Sequence, residues 1–187
     1  MTTPLRILIV EDSEADTELL LRELRRGGYA PEFERVETPE GLNTALARQP
    51  WDLIISDNAM PNFDGLQALR LTQEKGLDIP FILVSGSIGE DVAVAAMKAG
   101  AHDYLMKGNT ARLLPAIARE LREARMRQER RQANETIQRL AYSDPITGLP
   151  NRIRFREYVQ QAIEEAKKQR HPLALLHMNL EHFREIN

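Results

Sequence analysis

The sequence predicts an α/β fold: a doubly wound, five-stranded parallel sheet, followed by a long C-terminal helix and a partial α/β second domain. Three observations carry this. Short apolar runs rich in Ile, Val, Leu and Phe alternate with segments of helical spacing through residues 1–110. The strongest runs, ILIV and FILV, are apolar on both sides, as strands covered on both faces require. Glycines fall where the intervening helices should stop. Strands alternating with helices in this way form a parallel sheet wrapped on both faces.

In order, the strands are expected at residues 5–10, 31–36, 52–56, 81–84 and 103–106, the second and fifth being the fainter signals. Helical spacing lies between them at Leu19, Leu20 and Leu24, then Leu42 and Leu46, Leu66 and Leu69, and Val92, Ala95, Ala96 and Ala99. Gly27-Gly28, Gly76 and Gly100 supply the stops. From Thr110 the pattern turns helical and stays so to Ser143-Asp144-Pro145, with Pro115 suited to an early turn. Leu114, Ile117, Leu121 and Ala124 form one stripe on this helix; Met126, Arg130, Ala133, Ile137 and Leu140 form another in a different phase. The slipped heptad with Arg in its middle leaves a two-stranded coiled coil and a solvated connector both open. After the turn cluster Thr147-Gly148-Leu149-Pro150-Asn151, a helix is expected over 151–170, with Phe155, Val159, Ala162, Ile163 and Ala166 on one face, and a strand over 173–180. A helix and one strand make no core of their own, so the boundaries read as a first domain at 1–122, a helical linker at 123–142 and a domain fragment at 143–187.

Composition removes several classes of function. The absence of cysteine excludes disulfides, thiolate metal sites and cysteine nucleophiles, and suits the cytoplasm. No apolar run approaches a membrane span, and the N-terminus, MTTPLRILIVED, is no signal peptide. The net charge of −3 hides an asymmetry: residues 1–110 carry 10 Lys+Arg against 18 Asp+Glu, whereas residues 111–142 carry 8 against 4. An acidic first domain argues against nucleic acid as its partner.

Chemistry-bearing residues gather at strand ends. Glu11 and Asp12 follow the first strand, Asp57 the third, Ser85 the fourth and Lys107 the fifth. Ligands of open parallel sheets bind outside the carboxyl ends of the strands. Converging carboxylates repel one another unless a cation sits among them, and oxygen-only ligation suits Mg²⁺. A carboxylate nucleophile, a hydroxyl, an ammonium and a metal together accommodate a phosphoryl group. Each residue has a plain reading as well: Asp12 and Ser13 as a helix cap, Asp57 as a solvated loop acid, Ser85 as a turn residue, Lys107 as a surface charge. The five together, all at strand ends, favour the phosphoryl site.

The segments ILIVEDSEAD, DLIISDNAMPNFDG, FILVSG and AGAHDYLMKG resemble, in order and spacing, the receiver domain of two-component response regulators, a flavodoxin-like fold. The resemblance covers roughly residues 4–122. It implies that Asp57 accepts phosphate from a sensor histidine kinase or phosphotransfer protein. It also implies that Glu11, Asp12, Asp57 and the backbone carbonyl of Ala59 hold Mg²⁺. Ser85 and Tyr104 match the switch hydroxyl and aromatic, Lys107 the phosphate-contacting lysine, and Pro61 and Gly65 the turn and helix start after the acceptor. Gly108 stands where the family usually has proline, and Ala59 brings no side chain to tune phosphate lifetime. Pairing as a homodimer through the receiver and the linker helix is the expected assembly, with neither nucleic acid nor membrane as partner.

The final region, LAYSDPITGLPNRIRF and LALLHMNLEHFREIN, resembles the opening of the GGDEF domain of diguanylate cyclases. The family's metal-binding aspartate aligns with Asn179, a poorer ligand, and Asn187 aligns with an asparagine that contacts guanine nucleotide. The signature GGDEF loop lies beyond the last residue, so this chain by itself is not expected to be a complete enzyme. Three outputs stay open: a diguanylate cyclase truncated here, a degenerate GGDEF sensor or scaffold, and such a sensor ahead of a cyclic-di-GMP phosphodiesterase domain. His171, His177 and His182 read as scattered surface residues.

Overall fold

The alternation is realised as β1 (Thr3–Val10), α1 (Glu14–Arg26), β2 (Tyr29–Val36), α2 (Pro39–Arg48), β3 (Leu53–Asp57), α3 (Gly65–Glu74), β4 (Phe81–Ser85), α4 (Glu90–Lys98) and β5 (Asp103–Met106). Two further helices follow, α5 (Thr110–Tyr142) and α6 (Arg152–Gln169). The computed structural model describes residues 2–61, 63–86 and 90–178, in two units, Met1–Gln128 and Glu129–Asn187.

In the first unit the strands pair in parallel in the order β2-β1-β3-β4-β5. The chain leaves β1 for one edge and returns to its other side at β3, so the switch in strand order lies between the carboxyl ends of β1 and β3. Alternation along the strands divides the core. Leu8, Val10, Ile54 and Leu83 face a cluster with Leu42 and Leu46 of α2 and Ala68 and Leu69 of α3. Ile7, Ile9, Leu53, Ile55 and Ile82 face the opposite cluster, with Leu21 and Leu24 of α1 and Leu113 and Ile117 of α5. The faintness of the β2 signal has a cause: β2 is an edge strand, half of its residues exposed, and holds Pro31 where a missing donor is tolerated.

Helix ends follow the local chemistry. Ser13 and Thr38 accept backbone N–H bonds as caps of α1 and α2, and Asp64 with Gln67 forms a capping box on α3. Leu19 departs from the expected face: α1 buries Thr17, Leu21 and Leu24, while Leu19 is 51% exposed. The two stripes of α5 differ in fate. Ile117 is buried and Leu114, Leu121 and Ala124 are half-buried, whereas Met126, Ile137 and Leu140 are exposed.

The second unit contains the end of α5, a turn and α6. The Asp144 carboxylate accepts from the Ile146 and Thr147 amides and the Thr147 hydroxyl, and the Thr147 bonds hold its pKa below the ordinary carboxylate value. Asn151 caps α6 and donates its side-chain amide to the Ala141 carbonyl. Arg154 lies over the rings of Tyr142 and Tyr158 at 5.2 and 4.9 Å. The strand expected over 173–180 does not form across residues 173–178. A strand exists only by pairing, and no described residue of this unit supplies a ladder for it. Asn179, His182 and Asn187 lie outside the described residues.

Candidate functional site

The site is built at the switch point by backbone that the sheet holds. After β1, the Glu11 amide continues the ladder to the Val36 carbonyl, and Arg35 donates to the carbonyls of Glu11 and Asp12. After β3, the Asn58 amide donates to the Val84 carbonyl at 2.9 Å, holding Asp57 beside β4. The Ala59 amide donates to Asp57 Oδ1 at 3.1 Å. α3 starts close by, and only glycine fits at position 65: a Cβ there would stand 2.7 Å from the Asp57 carbonyl oxygen and 2.2 Å from Leu83. After β5, the Lys107 amide donates to the Ser85 carbonyl at 2.7 Å.

These contacts bring Glu11, Asp12 and Asp57 together, with one carboxylate oxygen from each lying within 4.8 Å of the others. Glu11 and Asp57 are buried and Asp12 is exposed. An all-oxygen donor set of this spacing, open to solvent on the Asp12 side, fits a hard divalent cation. Lys107 reaches into the same place: its Nζ donates to Glu11 Oε2 at 3.0 Å and to Asp57 Oδ2 at 2.7 Å.

The two ends of that contact respond differently to burial. Burial raises the pKa of Glu11, and the opposing pull of the Ser13 amide and Lys107 does not cancel it. Burial works against the charge on Lys107 too, but hydrogen bonds to Asp16, Asp57 and Glu11 outweigh it and hold the ammonium above its ordinary pKa. The lysine stays charged throughout the physiological range, so it can offer a fixed positive charge to an anion.

Ser85 is buried at the end of β4, and Tyr104 is half-buried on β5, opposite Leu83 in register. Gly108, where the family usually has proline, takes a φ of +88°, which a glycine adopts without strain. A cavity of about 270 Å³ opens beside Lys107 and is lined by Leu19, Leu20, Leu105, Met106 and Leu113. It accounts for the exposed Leu19. One residue at the site escaped the reading by strand ends: Asp16, in the first turn of α1, contacts Lys107 Nζ at 2.5 Å. No local signal marked it, since an acid in the first turn of a helix is ordinary chemistry and the lysine it meets lies far along the chain.

The family model of the response regulator receiver domain matches residues 7–119. This chain belongs to the response regulator receiver family. Residues 141–187 match the diguanylate cyclase GGDEF domain, so the receiver is followed by a GGDEF fragment. Among curated relatives, the response regulator protein FleR of Pseudomonas aeruginosa is 41% identical over 115 residues, which is 61% of this chain and 24% of FleR. Response regulator MprA of Mycolicibacterium vanbaalenii is 36% identical over 104 residues, 56% of this chain and 44% of that protein. The chain thus spans less than half the length of these relatives. Among solved structures, a receiver domain from Clostridium thermocellum superposes with a TM-score of 0.58 at 26% identity, covering 65% of this chain and 98% of that one. The N-terminal domain of a response regulator/sensory box/GGDEF protein from Carboxydothermus hydrogenoformans has a TM-score of 0.56 at 24% identity over 65% of this chain and 98% of its own. That last likeness is one of fold.

Proposed function

We propose that this receiver accepts a phosphoryl group on Asp57 from a sensor histidine kinase or phosphotransfer protein and controls a cyclic-di-GMP-related output. The observation that supports it most is the convergence of the Lys107 ammonium on Asp57 and Glu11 within a carboxylate trio at the sheet's switch point. In the transfer, an Asp57 carboxylate oxygen attacks phosphorus, the bond from phosphorus to the donor breaks, and the donor leaves with the bonding electrons. The product is an acyl phosphate. Glu11, Asp12 and Asp57, with the Ala59 carbonyl, would hold Mg²⁺, whose charge would neutralise phosphoryl oxygens. Lys107 supplies a second positive charge, and the Ser85 hydroxyl and Tyr104 follow the phosphoryl group as the switch. The apolar cavity beside Lys107 gives a donor protein a surface to rest on.

In this reading a second copy of the chain pairs through the receiver and the exposed stripe Met126, Ile137 and Leu140 of α5. Asn179, where the GGDEF family carries a metal-binding aspartate, favours a sensing or scaffolding output over synthesis. Among the described residues no helix is long and apolar enough to cross a membrane, which accords with a place in the cytoplasm.

The test is incubation with acetyl phosphate and Mg²⁺, read by intact-protein mass, with the same samples compared by sedimentation. One phosphoryl group is expected on the wild type and none on Asp57→Asn, with association rising on phosphorylation. Undiminished labelling of Asp57→Asn would falsify the acceptor assignment, and identical sedimentation in both states would remove the pairing switch.

A further inference from the structure

An ammonium group has three N–H donors, and Lys107 directs them at three carboxylates: Glu11, Asp57 and Asp16. The first two belong to the acidic trio. Asp16 does not. It sits outside the trio in the first turn of α1, with its side chain 38% exposed, and its amide donates to Ser13 Oγ, which fixes the turn that carries it. Its contact with the lysine is nonetheless the shortest of the three, at 2.5 Å.

In this arrangement Lys107 has no donor left for another anion. A phosphoryl group on Asp57 replaces the single carboxylate charge with close to two and adds three acceptor oxygens in a place already crowded with carboxylates. Lys107 can bond it only by giving up a present contact. Glu11 and Asp57 belong to the acidic trio where the phosphoryl group forms, whereas Asp16 lies outside it, in the first turn of α1. Asp16 is therefore the contact whose release frees a donor. Resting on the acceptor reading above, we infer that Asp16 is a positioning residue that holds Lys107 at rest and competes with the phosphoryl group for its ammonium, restraining phosphorylation.

A simpler role would be an acid at a helix N-terminus, favoured by the helix dipole and of little consequence elsewhere. The two roles differ in what they move. The dipole role changes helix stability and leaves phosphoryl chemistry alone. The competing role predicts opposite effects on two ligands. Neutralising Asp16 removes a negative charge and leaves Lys107 to Glu11 and Asp57, so Mg²⁺ alone should bind more weakly. The same change frees a lysine donor, so an anionic phosphoryl mimic should bind more tightly. A half-exposed ion pair is worth a modest factor, on the order of threefold.

The experiment uses the whole chain as wild type, Asp16→Asn and Asp16→Glu, with folding checked by the fluorescence of Trp51. It reads the rate of labelling by acetyl phosphate, the affinity for Mg²⁺ alone, and the affinity for trifluoroberyllate at saturating Mg²⁺. Asp16→Asn is expected to label about threefold faster, bind Mg²⁺ more weakly and bind trifluoroberyllate about threefold more tightly, with Asp16→Glu returning toward wild type. Unchanged or slower labelling of Asp16→Asn, or two affinities moving in the same direction, would overturn the inference while leaving Asp57 as the acceptor. A wild type that takes no phosphoryl group on Asp57 would remove the acceptor reading and this inference together.

Discussion

Helices α2 and α6 are built alike at their ends and differ in their middles. Each begins at a capping side chain, Thr38 or Asn151, and each ends with basic residues, Arg48 or Lys167 and Lys168, that suit the negative end of the helix dipole. Yet α2 buries Leu42, Ala45 and Leu46, while α6 buries no residue and leaves Ile153, Phe155 and Tyr158 about half exposed. Local signals can therefore define a helix twice over in one chain while only one of the two contributes to a core. In the receiver, a sheet lies under the apolar stripe; in the second unit, the described residues supply none.

The sharpest way to break this comparison is to remove apolar side chains from both helices. Leu42→Ala, at a fully buried position, is expected to destabilise the receiver by about 2–5 kcal/mol. Ile153→Ala, at a position 57% exposed, should change it by less than about 0.5 kcal/mol. Urea unfolding followed through Trp51 reads the receiver selectively, because this sole tryptophan is buried there and donates its indole N–H to the Ala45 carbonyl. Equal losses in the two variants would mean that Ile153 contributes to the stability of the receiver after all.

A smaller effect tests the caps. Thr38→Ala should cost the receiver about 1 kcal/mol in the same measurement. Asn151→Ala should leave the Trp51 transition in place and instead lower helicity by circular dichroism, since the Asn151 side chain bonds only within the second unit, to the first turn of α6 and to Ala141 at the end of α5. A shift of the Trp51 midpoint in Asn151→Ala would contradict the separation of the two regions.

The smallest effect concerns pH and belongs to the receiver alone. His102 is held below the ordinary histidine pKa by burial and then by Arg127, against the weaker opposing pull of Glu120, Asp78 and Glu123. Its Nδ1 accepts the Phe81 amide at 3.1 Å, a bond that protonation of that nitrogen would remove. A histidine depressed on folding leaves stability intact above the unfolded pKa, near 6.5. As pH falls below that value the unfolded chain takes up the proton first, so receiver stability declines toward the folded pKa. Urea midpoints measured between pH 7.5 and about 5 should show this decline, and His102→Asn should flatten it. An identical slope in that variant would assign the pH dependence to other groups.

The sheet and its site differ in how legible they were. The five strands could be read because both faces of a buried parallel sheet demand unbroken apolar runs, and Glu11, Asp12, Asp57, Ser85 and Lys107 could be read because each interrupts or follows such a run. The edge strand β2 was fainter because half its residues face solvent. Asp16 was missed because its partner is 91 residues away, and nothing in a helical first turn announces a lysine just after a distant strand.

By itself the sequence determined the order of the receiver's strands and helices, the glycines near helix ends, and which charged groups stand at strand ends, since these depend on periodicity and on neighbours within a few residues. Only the tertiary structure decided which groups meet. It placed β1 between β2 and β3. It turned Leu19 toward a cavity and joined the Lys107 ammonium to three carboxylates from separate segments. It also left residues 173–178 without the strand their composition favours. Pairing, burial and electrostatic contact are relations between distant parts of the chain. Their free energies exist only once the sheet has brought those parts within a few ångströms.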